Sequence, residues 1–359
     1  MSKVRLGDVA IEHKETCKTA KNGYPIVGLE HLIPEEITLS AWDEGCDNTF
    51  SKVFRKGNVL FGRRRAYLKK ASVAPFDGIC SGDITVIEAL PEKILPELLP
   101  FIIQNDALFD YAVGKSAGSL SPRVKWEHLQ NYEFELPELN KQKELADILW
   151  AMDETKKSYQ RLISATDELV KSQFIEMFGD SEKVPLDALA TIIMGQSPTS
   201  DSYNTDGKGV PFYQGSGEFT DKYVGDGMFC TSPTRMAKAG DVLMSVRAPV
   251  GAVNITLKEC CIGRGLAAIR SKVAAKYNEY FLYAFRAMGE ELNSMGHGST
   301  VSAINKNELH GLMMPNASLQ EQMSFVSFAQ QSDKSKFELE QALSELTATY
   351  KRIISDNLG

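Results

Sequence analysis

Gly114, Ser116 and Gly118 stand at the spacing of the GxSxG nucleophile elbow, in which a sharp strand-to-helix turn exposes a serine hydroxyl for attack on a carbonyl. Gly114-Lys115-Ser116 is also the tail of a phosphate-binding loop, whose glycines let backbone amides wrap phosphate oxygens. Neither chemistry fits the surroundings. The phosphate loop needs a glycine five residues before Gly114, and Phe109 stands there. The elbow needs an apolar strand before it. FIIQNDALFDYAVG instead has helical spacing, with Phe101, Ile102, Leu108 and Val113 near one face, and Pro122 closely follows the loop. A serine hydrolase using Ser116 is therefore the weaker reading, and a turn of small residues between two elements the stronger.

The elements that must position this loop are revealed by its recurrence. GHGSTVSAINKNELHGLMMP, from Gly296 to Pro315, aligns with the first loop at an offset of 180 residues. Gly118-Ser119 falls on Gly298-Ser299, Val124 on Ile304 and Leu129 on Leu309; after a two-residue gap, Leu136-Pro137 falls on Met314-Pro315, with Gln142 and Gln320 five residues beyond each proline. Upstream, KGNVLF from Lys56 parallels AGDVLM from Ala239, and Arg64 and Arg247 each lie seven residues after the glycine. Cys80 and Gly82 match Cys261 and Gly263, and VRLGDVA from Val4 matches VPLDALA from Val184. Helical segments at 95–113 and 276–294 precede the two loops, and short β-like runs fill the rest. The chain is two diverged copies of one mixed α+β unit of roughly 180 residues.

After each copy the sequence becomes helical. Ile148, Met152, Thr155, Tyr159, Leu162, Thr166 and Leu169 recur at alternating steps of four and three, and so do Phe325, Ala329, Ser332, Lys336, Leu339, Leu343, Leu346, Tyr350 and Ile353. Both seams contain polar positions, so neither helix is stable alone, and packing on one another as an antiparallel coiled coil is the economical solution. The expected organisation is a globule over 1–137, a helix over 138–179, a second globule over 180–315 and a second helix over 316–359. Helices of that length span about 50–60 Å at about 1.5 Å per residue, and would act as a bar carrying one globule at each end.

Positive charge gathers at matching places in the copies. Residues 51–70 hold eight basic residues and no acidic one, among them Lys56, Arg63, Arg64, Arg65, Lys69 and Lys70. Residues 235–272 hold seven basic residues against two acidic, among them Arg235, Lys238, Arg247, Arg264 and Arg270. One such stripe is ordinarily a solvated face. Two in register favour a shared task, contact with phosphates and, through arginine forks, with guanine edges. Ser119, Arg123 and Lys125 in the first copy and Ser299, Thr300, Asn305 and Lys306 in the second lie near enough in sequence to join them.

Composition bounds the alternatives. A chain of 359 residues with 43% hydrophobic content supports more than one core, and its net charge of −7 argues against a protein that coats nucleic acid indiscriminately. Cysteines 17, 46, 80, 230, 260 and 261 form no CxxC pair, and five histidines are scattered, so no metal site or disulfide framework is indicated. No run reaches the roughly 20 apolar residues of a membrane span, and MSKVRLGDVAIEHKE lacks a secretory apolar core, so the expected location is the cytoplasm without membrane contact.

The order of these features, occurring twice, resembles the specificity subunit of type I restriction-modification enzymes over essentially the whole chain. The resemblance rests on the glycine-led strand followed by arginine (Gly57 to Arg64, Gly240 to Arg247), the loops at Gly118-Ser119 and Gly298-Ser299, the Leu-Pro and Met-Pro exits, and the two long helices. It implies two target recognition domains, each reading half of a bipartite double-stranded DNA site. The helices would serve as spacer and docking surface for two modification subunits and, where the complex also cleaves, for restriction subunits. It also implies a chain without catalytic residues of its own, S-adenosylmethionine, ATP and Mg belonging to the partners. The absence of an [ND]PP[FY] motif and of a Walker lysine loop agrees with that. The copies differ where Asn58 faces Asp241 and where RRRAYLKK replaces VRAPVG.

Overall fold

The computed structural model describes residues 2–17, 23–45, 48–295 and 303–359. They fall into two compact units, Met1–Gln160 with Gln341–Gly359, and Arg161–Glu340.

The first unit begins with β1 (Ser2–Arg5), α1 (Leu6–Val9), β2 (Ala10–Glu12), β3 (Ile26–Val27) and β4 (Lys52–Phe54). It continues through β5 (Val59–Gly62), β6 (Ala71–Val73), β7 (Gly78–Cys80) and β8 (Ile84–Ala89) to α2 (Leu99–Ile103), α3 (Asp106–Gly114), α4 (Trp126–Leu129) and β9 (Glu133–Leu136). Strands β2-β8-β5-β6 form an antiparallel sheet, β3-β7-β4 a second sheet with β3 parallel to β7, and β1 pairs with β9. Every residue of VLFG in β5 is buried, as a strand covered on both faces requires. Phe61 stacks on Phe109 of α3 at 5.4 Å between ring centroids, fastening that helix to the sheet.

The helix expected over 95–113 is broken. Gln104 leaves the helical path to bind the carbonyls of Glu36 and Ala71, and Asn105 restarts the chain as the N-cap of α3, its side chain accepting from the Ala107 amide. An asparagine that offers its own oxygen to the next turn ends one helix and begins another.

α5 (Leu139–Phe178) leads into the second unit, which repeats the plan with β10 (Lys183–Pro185), α6 (Leu186–Leu189), β11 (Ala190–Met194), β12 (Tyr203–Asn204), β13 (Val210–Tyr213), β14 (Met228–Cys230) and β15 (Met236–Ala237). Then come β16 (Val242–Ser245), β17 (Val253–Ile255), β18 (Cys260–Ile262), β19 (Leu266–Ser271), α7 (Asn278–Ala287), α8 (Gly289–Met295), α9 (Lys306–His310), β20 (Met313–Pro315) and α10 (Leu319–Leu358). The sheet order β11-β19-β16-β17 reproduces β2-β8-β5-β6, and β13 runs parallel to β18 as β3 does to β7. The mixed α and β repeat inferred from sequence is therefore the architecture.

Strand register corrects two details of the sequence alignment. Val4 pairs with Phe134 and Val184 with Met314, so the offset of 180 continues without a gap, and Phe134 rather than Leu136 is the counterpart of Met314. The equivalent of Gln142 is then Gln322 and not Gln320. Both are buried, and each donates its amide to the carbonyl five residues earlier, Pro137 and Ala317. Likewise Val53 faces Ile79 where Met236 faces Cys261, so Ile79, not Cys80, is the counterpart of Cys261. Matching residue types misled the alignment by one position, which a strand cannot tolerate because a slip of one turns every side chain to the other face.

The long helices divide their packing between the units. In the first, Leu145, Ala146 and Leu149 of α5 share a core with Tyr350, Ile354 and Leu358 of α10, and Phe101 meets both Trp150 and Tyr350 edge-on. In the second, Phe174 lies 5.4 Å from Phe325 between ring centroids, and Asp167 binds Lys336. Residue numbers rise along one helix as they fall along the other, so within this unit the two run antiparallel. The α10 seam has the expected spacing, since every residue of it is buried or half-buried. The expected α5 seam is displaced. Ile148, Leu162 and Leu169 are about half exposed, and Leu145, Leu149 and Phe174 take the inner face, because burial in the core of each unit outweighs the heptad count.

Candidate nucleic-acid interface

Strand β5 is sealed on both sides, so the chain must turn outward after Gly62, and it does so through Arg63, Arg64 and Arg65. The loop after α3 comes back to meet it. The Val124 amide donates to the Arg63 carbonyl at 3.0 Å, the Arg65 amide to the Pro122 carbonyl at 2.8 Å, and Arg64 and Arg123 face one another as an antiparallel bridge. Ala117 and Arg123 exchange both backbone hydrogen bonds, at 3.0 and 2.9 Å, which closes residues 118–122 into a tight projecting turn. Gly118, at φ +116°, supplies a backbone angle that side chains disfavour.

One carboxylate organises the charges. Asp83 receives Nε and Nη2 of Arg123 at 2.7 and 3.2 Å, and Nη1 of Arg64 lies 3.5 Å from it. Arg64 also forks onto the Ser121 hydroxyl through Nε and Nη2, at 3.1 and 2.9 Å. The Arg123 guanidinium, with Arg64 and Arg63 behind it, holds the Asp83 carboxyl below the usual carboxylate range. Arg63 Nε is buried without a hydrogen-bond partner among the described residues. Three guanidiniums converge on a single carboxylate, leaving net positive charge beside a loop of exposed hydroxyls and backbone, the arrangement that attracts phosphate.

The remaining first-copy candidates are spread around this centre. Arg65 is exposed, with a left-handed backbone. Lys69 is bound to Asp106 and Lys70 to the Leu29 carbonyl, so both are engaged within the protein. Ser119 is exposed in the projecting turn, and Lys125 is exposed at the start of α4. Lys56 stands apart from the cluster. It lies in the turn that precedes β5, at the other end of the strand from Arg63, its backbone amide held by Asp77. The eight-cation stripe of the sequence is thus divided, because a strand separates its two ends.

The second unit builds the same backbone joint. The Ile304 amide donates to the Val246 carbonyl at 2.9 Å, and Arg247 bridges Ala303, which is residue 123 advanced by 180. The side chains differ. Val246 donates to the Gly265 carbonyl as Arg63 does to that of Asp83, so glycine stands where the first unit has its carboxylate, and exposed Arg264 stands where it has Gly82. Arg247 and Arg264 are exposed and make no ion pair with a described residue. Arg235 is exposed on the strand edge beside Ile262, and Lys238 is exposed in the turn before β16. Asn305 caps the helix that follows: its side chain accepts from the Glu308 amide at 3.0 Å, while the Glu308 carboxylate accepts from the Asn305 amide at 2.8 Å. Lys306 is exposed in the first turn of that helix. Ser299 and Thr300 lie outside the described residues.

A further pair explains the Asn58 and Asp241 difference, which the sequence alone left open. Asp241, 1% exposed, accepts both Nε and Nη2 of Arg270, at 2.6 and 2.5 Å. The register makes Glu88 the counterpart of Arg270, and Glu88 lies 2.7 Å from Nδ1 of His13. Where the neighbour is arginine the turn carries aspartate; where it is glutamate the turn carries neutral Asn58, whose oxygen still caps the Arg55 amide. A change of charge at two positions across the repeats, neutral to negative at Asn58/Asp241 and negative to positive at Glu88/Arg270, was the available signal.

Ser116 has a local role. Its hydroxyl donates to the Ala112 carbonyl at 2.8 Å, closing the last turn of α3. Burial pushes the Cys80 and Cys260 thiols up to about 12 and about 11, which makes both poor nucleophiles. Among the described residues no helix is long and apolar enough to cross a membrane, and no three His, Cys, Asp or Glu side chains are grouped to hold a metal ion.

A duplicated fold presenting arginines at a strand exit in both copies defines a two-domain recognition protein. The model of the type I restriction modification DNA specificity domain matches residues 1–164 and again 179–347. The chain belongs to that family, and is a specificity subunit of the type I restriction-modification kind. It is 28% identical over 352 residues to a putative type I restriction enzyme specificity subunit, MjaX, of Methanocaldococcus jannaschii, covering 89% of this chain and 81% of the relative. A chain in a structure described as the basis of complex assembly and conformational transition of the type I R-M system is 29% identical, with a TM-score of 0.68, covering 99% of this chain and 97% of that one. The type I S subunit from M. genitalium, at 14% identity and a TM-score of 0.58 over 98% of this chain and 94% of its own, shares the fold.

Proposed function

We propose that this chain is the non-catalytic subunit that chooses the DNA sequence for a type I restriction-modification complex, each unit reading one half of a bipartite double-stranded site. The observation that carries the reading is the joint made twice, in which an arginine-bearing strand exit lies against a returning loop, at Arg64 with Arg123 and at Arg247 with Ala303. Arginine forks suit both phosphate and guanine edges, and a rigid backbone joint fixes where they point. On this reading Arg63, Arg64, Arg65, Arg123, Arg235, Arg247 and Arg264 contact DNA directly, and Lys56, Lys125, Lys238 and Lys306 add general attraction. Lys69 and Lys70, tied to Asp106 and Leu29, contribute charge more than contact.

The long helices then serve as the docking surface for two modification subunits, with restriction subunits joining where the complex cleaves. Methyl transfer from S-adenosylmethionine and any ATP- and Mg-dependent step belong to those partners. In the decisive experiment Arg63, Arg64, Arg65 and Lys69 are changed together to Ala in the assembled complex. DNA binding weakens, and the slope of log K against log salt flattens by about one for each phosphate that is no longer neutralised. Unchanged affinity and slope would overturn the assignment. Mapping N6-methyladenine across the genome with and without the gene supplies the target: loss of one gapped motif identifies both half-sites.

A further inference from the structure

Leu120 is 91% exposed, at the tip of the turn that Ala117 and Arg123 close. Isolated exposed leucines are common on protein surfaces and need no account of their own. The mounting of this one is different. Its neighbour Ser121 is gripped by the Arg64 fork, Arg123 at the foot of the turn is forked onto Asp83, and the Arg65 amide holds the Pro122 carbonyl. Gly118 fixes the approach to the tip with its positive φ. The turn is built to project an apolar side chain from the centre of a cationic surface, with little conformational freedom left to lose on binding.

On the DNA-reading function above, the guanidiniums beside the turn meet phosphates, which brings the apolar side chain at its tip against the duplex. We propose that Leu120 is an apolar base-contacting residue of the first recognition unit, a specificity element that nothing in the repeat supplies in the same form, since Thr300 stands at the corresponding position of the second copy. This rests on the DNA-reading function above. The apolar features a duplex offers are the thymine methyl group in the major groove and the face of a base exposed by unstacking a step. Both bury the leucine, and shortening the side chain removes either interaction.

Because Leu120 is so exposed, Leu120→Ala leaves the fold unchanged, which the denaturation midpoint verifies. In the assembled complex Leu120→Ala binds the cognate duplex about tenfold more weakly and a non-cognate duplex equally well. Leu120→Met restores most of the affinity. Uracil-for-thymine and 2-aminopurine substitutions through the first half-site separate the two sources. In wild type one position loses affinity without its methyl group, or gains fluorescence on unstacking, and in Leu120→Ala that response disappears while the second half-site is unaffected. Wild-type affinity in Leu120→Ala, or equal losses on cognate and non-cognate DNA, would sink the proposal. Arg64→Ala with Arg123→Ala separates the levels: if that pair weakens binding and Leu120→Ala does not, only the role of the leucine fails. If neither does, the surface itself has been misassigned.

Discussion

The two recognition units make one backbone joint and equip it in opposite ways. In the first, Arg64 and Arg123 are held by Asp83, so two guanidiniums are fixed before any ligand arrives. In the second, Gly265 replaces the carboxylate and Arg264 joins Arg247 in the open. The reason is steric. A Cβ at Gly265 would stand 2.5 Å from the Gln214 carbonyl oxygen, so the second unit has no room for an aspartate there. A fixed arginine fork favours discrimination, since its geometry is set in advance; exposed arginines without an ion pair among the described residues favour attraction with less selectivity. Divergence inside the repeat thus changed how the arginines at the joint are held while leaving the backbone joint itself alone.

The largest expected effect breaks the charge pairing that distinguishes the units. Arg270→Ala leaves Asp241 buried without its partner and should cost about 3–5 kcal/mol, read by denaturant unfolding with hydrogen exchange locating the destabilisation in the second unit. Gly265→Ala forces the Cβ against the Gln214 backbone and should cost about 1–3 kcal/mol.

Asp83→Asn releases the first unit's arginines and makes it resemble the second. It should raise non-specific DNA affinity, steepen the salt slope by about one and weaken discrimination at the first half-site alone. Because the Asp83 carboxyl is held below its ordinary range, its ion pairs contribute fully above about pH 5 and are lost as pH falls through the lowered value. Wild type therefore loses up to about 1 kcal/mol in acid that Asp83→Asn does not lose further, measurable as melting temperature against pH. Smallest of all, Ser116→Ala should cost no more than about 1 kcal/mol and leave DNA binding intact, since its hydroxyl only closes a helix turn.

Much of this was legible in the residues. The glycine turns at Gly57 and Gly240, both at positive φ, and the buried apolar runs after them marked the strands whose exits carry the arginines. Asp83 was invisible as a site residue because its partners, Arg64 and Arg123, lie 19 residues before it and 40 after it in sequence. The cap at Asn305 passed unnoticed because an exposed polar residue beside a basic one was weighed only against DNA, while Glu308 three residues on spells a capping box. Leu120 passed unnoticed because an apolar residue in a loop carries no periodic signal.

The sequence by itself determined that the chain is a repeat, where each strand with its arginine lies, and that two long helices follow, because these follow from local spacing and from comparing one half with the other. Only the tertiary structure decided which register pairs the strands, which face of α5 is buried, and which arginines a carboxylate among the described residues holds. Those outcomes depend on packing against residues far away along the chain, where burial and charge pairing outweigh any local preference.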